Sequence, residues 1–125
     1  MVSTDEATPS YADIIRNFEL GHDFLKQEFG YLPKIGWQLD PFGHSAANAE
    51  LFSQMGLEAM VVGRINEDDF RHRKLAKELE FVWTPRLSGR SENDSEGSDD
   101  EPANEIFTHV HTSRYTVPFE VKYDR

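Results

Sequence analysis

Cysteine is absent from the 125-residue chain, which excludes a disulfide framework, a cysteine-ligated zinc site and a thiol nucleophile. Basic side chains are scarce, because 13 lysines and arginines stand against 23 aspartates and glutamates, giving a formal net charge of −10. That balance disfavours nucleic-acid and anionic-membrane partners, which select clustered positive charge. No apolar run is long enough for a membrane-spanning helix, and residues 1–11 lack the apolar core of a signal peptide. The composition therefore predicts one small acidic domain, or part of a larger one.

Negative charge is concentrated between Ser91 and Glu105, a tract of 15 residues with seven acids and no base. Without aromatic or β-branched residues it cannot bury enough apolar area to offset its ordering entropy, so we predict an acidic disordered loop over 91–105. A calcium loop of the EF-hand kind is disfavoured, because with Gly97 at its sixth position the twelfth is Ala103 rather than glutamate. Asn93 begins an Asn-Asp-Ser sequon and is a glycosylation candidate if the protein is lumenal.

Helix-like and strand-like segments alternate along the rest of the chain. Apolar spacing and capping residues predict helices over 11–29, 45–55 and 67–79. Short apolar runs predict strands over 34–39, 59–63, 81–83 and 106–111, the first two of them buried. This alternation predicts an α/β fold with a mostly parallel sheet covered by helices.

Two charged residues follow two of these strands directly. Asp40 comes after the first strand and Arg64 after the second, 24 residues further along the chain. In parallel sheets the working side chains lie at the carboxyl ends of the strands. An aspartate in that position can equally accept backbone N–H groups of the turn, so position alone leaves a functional and a structural role open.

The stretch from Trp37 to Ser45, WQLDPFGHS, is the most informative part of the chain. Pro41 fixes the turn after Asp40, and a rigidly held carboxylate can attack an anomeric carbon or ligate a metal. Phe42 can form the wall of a sugar or cation site, and Gly43 permits an unusual backbone angle beside it.

A nucleophile elbow, Gly-x-Ser-x-Gly, is the rival interpretation of the same stretch. The second glycine of that pattern is missing, since Ala47 stands in its place. Ser45 is better used as the cap of the helix that follows, so the elbow is disfavoured.

WQLDPFGHS resembles the nucleophile segment of class II α-mannosidases, glycoside hydrolase family 38, of the lysosomal branch more than the Golgi branch. Further similar segments lie in the same order along the chain, at 4–7, 21–25, 51–56, 63–64, 81–83, 106–109 and 115–118. The resemblance covers nearly the whole chain except the acidic loop. It implies that residues 1–125 form an incomplete segment of a parallel-stranded α/β barrel, a catalytic domain of the glycoside hydrolase/deacetylase-like kind.

The resemblance also implies roles for four residues. Asp40 would be the catalytic nucleophile and a zinc ligand, and Phe42 would line the sugar-binding subsite. Arg64 and Tyr115 would be polar groups around that subsite, fixing Asp40 or the sugar hydroxyls. The family often has an acid after that tyrosine, but Thr116 stands here and no role is carried to it.

The function implied is that of a zinc-dependent retaining α-mannosidase, which hydrolyses terminal α-linked mannose from N-glycan-type oligosaccharides. A lysosomal or vacuolar lumen is the implied location, with the Golgi lumen or secretion as alternatives. The family's other zinc ligands and its general acid are expected before and after the 125 residues. The rest of the catalytic domain is therefore an expected partner, and the chain alone is expected to be inactive.

Two histidines offer a local alternative for metal binding, because His109 and His111 alternate on one strand and share a face. Hydrogen-bonded histidines on a half-buried strand are the favoured interpretation. Two other functions stay open: a non-catalytic carbohydrate- or metal-binding module derived from the same barrel, and an acidic interaction protein built around residues 91–105.

Overall fold

The structure is a computed structural model that describes residues 3–85 and 104–112. Within these ranges seven elements follow one another: α1 (Tyr11–Phe29), β1 (Ile35–Gln38), α2 (Ala46–Gln54), β2 (Ala59–Val62), α3 (Glu67–Ala76), β3 (Glu80–Trp83) and β4 (Ile106–Val110). Each matches a predicted helix or strand, which confirms the alternation. Tyr115, Asn93 and all but the last two residues of the predicted acidic loop 91–105 lie outside the described residues.

Local signals explain where the first and third helices begin and end. The N-terminus of α1 is a capping box, in which Ser10 and Asp13 each accept the other's backbone N–H, and Gly30 ends the helix in the left-handed region at φ 65°. Lys77 adopts φ 61° and ends α3 three residues before the predicted end of that helix. Stop signals therefore act at single residues, while apolar spacing predicts only the body of a helix.

The four strands form one sheet in the order β1-β2-β4-β3. Strands β1, β2 and β4 run parallel, as predicted, while β3 runs antiparallel to β4. Glu80 pairs with His109, which pairs with Val61, so β3 begins level with the end of β2. The helix between them, α3, has no buried residue and does not carry the chain back along the sheet. This is why β3 cannot enter in the parallel direction that the alternation predicted.

The hydrophobic core lies between one face of the sheet and the helices α1 and α2. Its buried apolar side chains are Ile14, Phe18, Ala49, Phe52, Leu57, Met60, Val62, Leu79, Ile106 and Val110. Phe18 of α1 contacts Phe52 of α2, with ring centroids 4.9 Å apart. Burial of these side chains away from water is the main favourable term for this layer.

The opposite face of the sheet is apolar but exposed among the described residues. Ile35, Trp37, Val82 and Phe107 lie on it and are each about half exposed. The prediction that the first two strands are buried is therefore wrong for the outer face of β1, whereas Ala59 and Val61 on that face of β2 are half-buried. Alternate residues of β1 and β2 face the core, and the others face an uncovered surface.

Gly63, directly after β2, lies close to the backbone of Leu39, directly after β1. A methyl group added at Gly63 would lie 2.6 Å from the carbonyl oxygen of Leu39, so the two backbones would have to separate. Added at Gly36, it would lie 3.2 Å from the Phe52 ring, which can shift as a side chain. Gly63 therefore fixes the spacing of the strand ends that precede Asp40 and Arg64.

We predict that Gly63→Ala lowers the free energy of unfolding by about 2–3 kcal/mol, at the upper end of the range for overpacked sites. Gly36→Ala is the matched control and should cost less, about 1 kcal/mol, because its obstacle is a ring rather than backbone. Urea denaturation of both variants measures the difference. An equal or larger loss for Gly36→Ala would contradict this account.

Candidate active site

Asp40 and Arg64 meet at the carboxyl edge of the sheet. Gln38 pairs with Val62, so each charged residue lies two positions beyond the last paired residue of its strand. The guanidinium Nη2 of Arg64 donates to Oδ1 of Asp40 at 2.7 Å, and Nε donates to the same oxygen at 3.3 Å. The structure thus brings together two of the residues that the sequence singled out, as expected from parallel strand ends.

Phe42 is the most exposed large apolar side chain of this region, at 88%. The Arg64 guanidinium carbon lies 4.5 Å from the centroid of its ring, a cation–π contact that orients both groups. Gly43 follows with φ 129°, a backbone angle that a side chain would strain. The loop therefore presents an aromatic face to solvent directly beside the carboxylate.

Phe42 lines three open clefts, two of which contain Arg64 or Asp40. The larger, of about 560 Å³, is lined by Phe42, Gly43, His44, Arg64, Ile65 and Asn66. The smaller, of about 240 Å³, is lined by Ser3, Thr4, Asp5, Asp40, Pro41 and Phe42. Phe42 is shared between a cleft that contains the carboxylate and a cleft that contains the cation. A ligand with several hydroxyl groups could contact both across the aromatic ring.

Asp5 lines the smaller cleft together with Asp40 and is a second carboxylate there. The hydroxyl of Thr8 and the backbone N–H of Ala7 donate to its oxygens, and they hold the pKa of Asp5 below its ordinary value. This side chain accordingly serves as an acceptor that shapes the turn before α1.

Behind the site lies a buried carboxylate that sequence reasoning missed. The Glu6 side chain is 3% exposed and accepts hydrogen bonds from Gln38, His44 and the backbone of Ser45. The sequence signal was available, because Glu6 belongs to a segment that supported the family resemblance. An acid shortly before a helix is, however, usually solvated, and its partners lie more than 30 residues away.

Ser45 corrects another expectation. It is the N-cap residue of α2, and its carbonyl accepts from the N–H groups of Asn48 and Ala49 at 3.1 Å, but its side chain makes no capping hydrogen bond. The oxygen of Glu6 takes the Ser45 backbone N–H instead. The hydroxyl is therefore not needed for the role that the sequence suggested.

The other histidines have structural surroundings. His109 Nδ1 lies 2.8 Å from Oε1 of Glu80 on the neighbouring strand, and its ring contacts that of His111 edge-on at 6.2 Å. No group of three or more histidine, aspartate or glutamate side chains in ranges 3–85 and 104–112 could hold a metal ion. In the same ranges, no helix is long and apolar enough to cross a membrane.

We predict that the Asp40–Arg64 pair contributes little to stability. The two side chains are 55% and 31% exposed, and pairs this accessible to solvent are typically worth about 0.2–1 kcal/mol. A double-mutant cycle with Asp40→Asn and Arg64→Gln, followed by urea denaturation, measures the coupling. The exposed Glu67–Arg71 pair of α3 is the matched control and should give a similar value. A coupling above about 2 kcal/mol would show instead that the pair is structural.

Comparison with known proteins identifies the family. Residues 1–124 match the N-terminal domain of glycosyl hydrolases family 38. A lysosomal α-mannosidase of Dictyostelium discoideum is 41% identical over 114 residues, 91% of this chain and 10% of the relative.

Two further relatives come from an animal and a plant. A lysosomal α-mannosidase of Cavia porcellus is 37% identical over 119 residues, 94% of this chain and 11% of the relative. An α-mannosidase of Canavalia ensiformis is 45% identical over 80 residues, 63% of this chain and 8% of the relative. The chain spans about a tenth of the length of these relatives. With a match over nearly its whole length, the chain belongs to glycosyl hydrolase family 38, as part of that family's N-terminal domain.

Proposed function

We propose that this chain is the nucleophile-bearing segment of a zinc-dependent retaining α-mannosidase, which removes terminal α-linked mannose from N-glycan-type oligosaccharides. The observation that carries the proposal is Asp40, held beside Arg64 at a strand end in a chain of family 38. The relatives named α-mannosidases supply the substrate class.

Asp40 has the chemistry that a retaining mechanism requires. In the first step its carboxylate oxygen bonds to the anomeric carbon while the glycosidic C–O bond breaks, and a general acid protonates the leaving oxygen. In the second step water attacks the same carbon and the bond to Asp40 breaks, which releases its carboxylate. The general acid, now deprotonated, takes the proton of the water. The acid belongs to the part of the protein outside the described residues.

Arg64 and Phe42 would serve substrate binding. Guanidinium N–H groups that hold Asp40 in one orientation keep the attacking oxygen in place, and they stabilise the carboxylate as it leaves in the second step. The exposed Phe42 ring would pack against the apolar face of a sugar, with further hydroxyls in the flanking clefts. Tyr115 stays a proposed contributor to the same subsite.

Zinc is part of the proposal although the described residues do not form a zinc site. Asp40 would be one ligand, and a catalytic zinc needs at least three protein ligands. No group of three such ligands that includes Asp40 occurs in ranges 3–85 and 104–112. The other ligands would come from outside this chain, and when bound the ion would hold sugar hydroxyls and add positive charge near the carboxylate.

The uncovered sheet face supports a larger domain. Ile35, Trp37, Val82 and Phe107 form an apolar surface of the kind that a further layer of polypeptide covers. The relatives are about ten times as long as this chain, so polypeptide for that layer exists in them. We propose that the rest of the catalytic domain covers this face, and that with it the sheet belongs to an α/β barrel.

The relatives also suggest where the enzyme acts. Two of them are named lysosomal α-mannosidases, from Dictyostelium discoideum and Cavia porcellus. We propose a lysosomal or vacuolar lumen, with the Golgi lumen or secretion as the alternatives. In any of these compartments Asn93 is a candidate for N-glycosylation.

We predict that Asp40→Asn lowers kcat/KM for an aryl α-mannoside by about 10³-fold or more, because an amide cannot act as the nucleophile. The assay uses the native polypeptide that contains this chain, identified by immunoblot and expressed at its full length. Asp68→Asn, an exposed acid in the first turn of α3, is the control and should keep wild-type activity. Full activity of Asp40→Asn would show that Asp40 is not the nucleophile.

We further predict that the 125-residue chain alone neither turns over α-mannosides nor binds Zn²⁺ through Asp40. Calorimetric titration with Zn²⁺ should give the same isotherm for the wild-type chain and for Asp40→Asn, because one carboxylate is too few ligands. Zn²⁺ that binds to other acidic residues contributes equally to both titrations, so a difference between them reports binding at Asp40. Tight zinc binding or turnover that Asp40→Asn abolishes would favour a self-sufficient module instead.

A further inference from the structure

We propose that Glu6 is a positioning residue that holds the loop carrying Asp40 and Phe42 in its working conformation. The proposal rests on the proposed function, since it assigns Glu6 a role in the same reaction. Glu6 does not line the cleft that contains Asp40. It lines the third cleft, of about 250 Å³, with Phe42 and His44, and it would act on Asp40 through the loop.

Glu6 fastens the loop on both sides of Asp40. Upstream of the aspartate, Gln38 Nε2 donates to Oε1 of Glu6 at 2.9 Å. Downstream, Nδ1 of His44 lies 3.0 Å from the same oxygen, and the backbone N–H of Ser45 donates to Oε2 at 2.7 Å. One carboxylate therefore bridges the end of β1 and the start of α2, and the residues between them are confined at both ends.

A carboxylate suits this set of contacts. It has two acceptor oxygens and no donor, and it faces the Gln38 amide, the Ser45 N–H and the His44 ring. With its proton on Nδ1, the His44 ring would donate to the carboxylate. A glutamine at position 6 would turn an NH₂ group toward at least one of these donors, which would break that contact.

The segment before Glu6 reinforces the same anchor. The side-chain amide of Gln38 pairs with the Thr4 backbone in both directions, since Oε1 accepts from Thr4 N–H and Nε2 donates to Thr4 carbonyl, each at 3.1 Å. The Ser3 hydroxyl donates to the carbonyl of Trp37 at 3.0 Å. These bonds run along the end of β1 and bring Glu6 into register with the loop.

Confinement of the loop has a direct consequence for rate. A displacement of about 1 Å between a nucleophile and its target can cost about 10²-fold in rate. Asp40 is half exposed, so packing around its side chain contributes little to its position. That position depends on the hydrogen bonds from Arg64 and on the backbone that Glu6 holds. Loss of the Glu6 contacts should therefore lower kcat more than it weakens substrate binding.

The test compares Glu6→Gln with wild type in the native polypeptide that contains this chain. We expect kcat for an aryl α-mannoside to fall about 10- to 100-fold, with KM changed less than about threefold. Hydrogen exchange followed by mass spectrometry should show faster exchange in peptides covering 39–48, while the melting temperature stays close to that of wild type. Glu58→Gln is the matched control, because Glu58 is an exposed acid paired with Lys34 at the far end of the sheet.

Each outcome supports or overturns the proposal. Unchanged kcat and unchanged exchange over 39–48 in a folded Glu6→Gln variant would overturn it. If Glu6→Gln does not fold, exchange in the wild-type protein decides, because a Ser45 amide that exchanges as fast as an open loop is not held by Glu6. If wild type lacks α-mannosidase activity, the proposed function fails, and the exchange comparison alone shows whether Glu6 holds the loop.

Discussion

The parallel pairing of β1 with β2 is the constraint on which the candidate site depends. Gln38 and Val62 are the last paired residues, and Asp40 and Arg64 follow each of them at the same distance along the chain. Their ion pair is too exposed to bring two strands together. The strands are brought together by the core, and Gly63 lets their ends approach to backbone contact. The charge pair is thus a consequence of the register and not its cause.

Much of this framework could be predicted from the sequence because its signals are local. Ser10 and Gly30 mark the two ends of α1, and prolines bound the run that becomes β1. The alternation of helices and strands then predicts that strand ends share an edge, which is enough to bring Asp40 and Arg64 together. The resemblance carried by WQLDPFGHS added the family, which the comparison over residues 1–124 confirmed.

What could not be predicted depends on contacts between distant parts of the chain. The direction of β3 depends on where the chain leaves α3 relative to the ends of β2 and β4, and the pattern of a short charged helix does not decide that. The cap of α2 comes from Glu6, 39 residues before Ser45, and no capping rule reaches so far. The exposure of Trp37 depends on which layers of polypeptide surround the sheet, a property that strand pattern does not encode.

A buried carboxylate such as that of Glu6 is unusual in so small a layer, because its burial opposes folding. Removing a carboxylate from water is costly, and its hydrogen bonds recover part of that cost without a lysine or arginine among the contacts described above. An apolar residue in its place would avoid that cost but could not hold the two ends of the loop in register, because packing contacts lack the direction of a hydrogen bond. The carboxylate is therefore better explained by what it orients than by the stability it adds. The buried acid thus supports the exposed one, because a nucleophile that is half exposed needs an anchor that is itself buried.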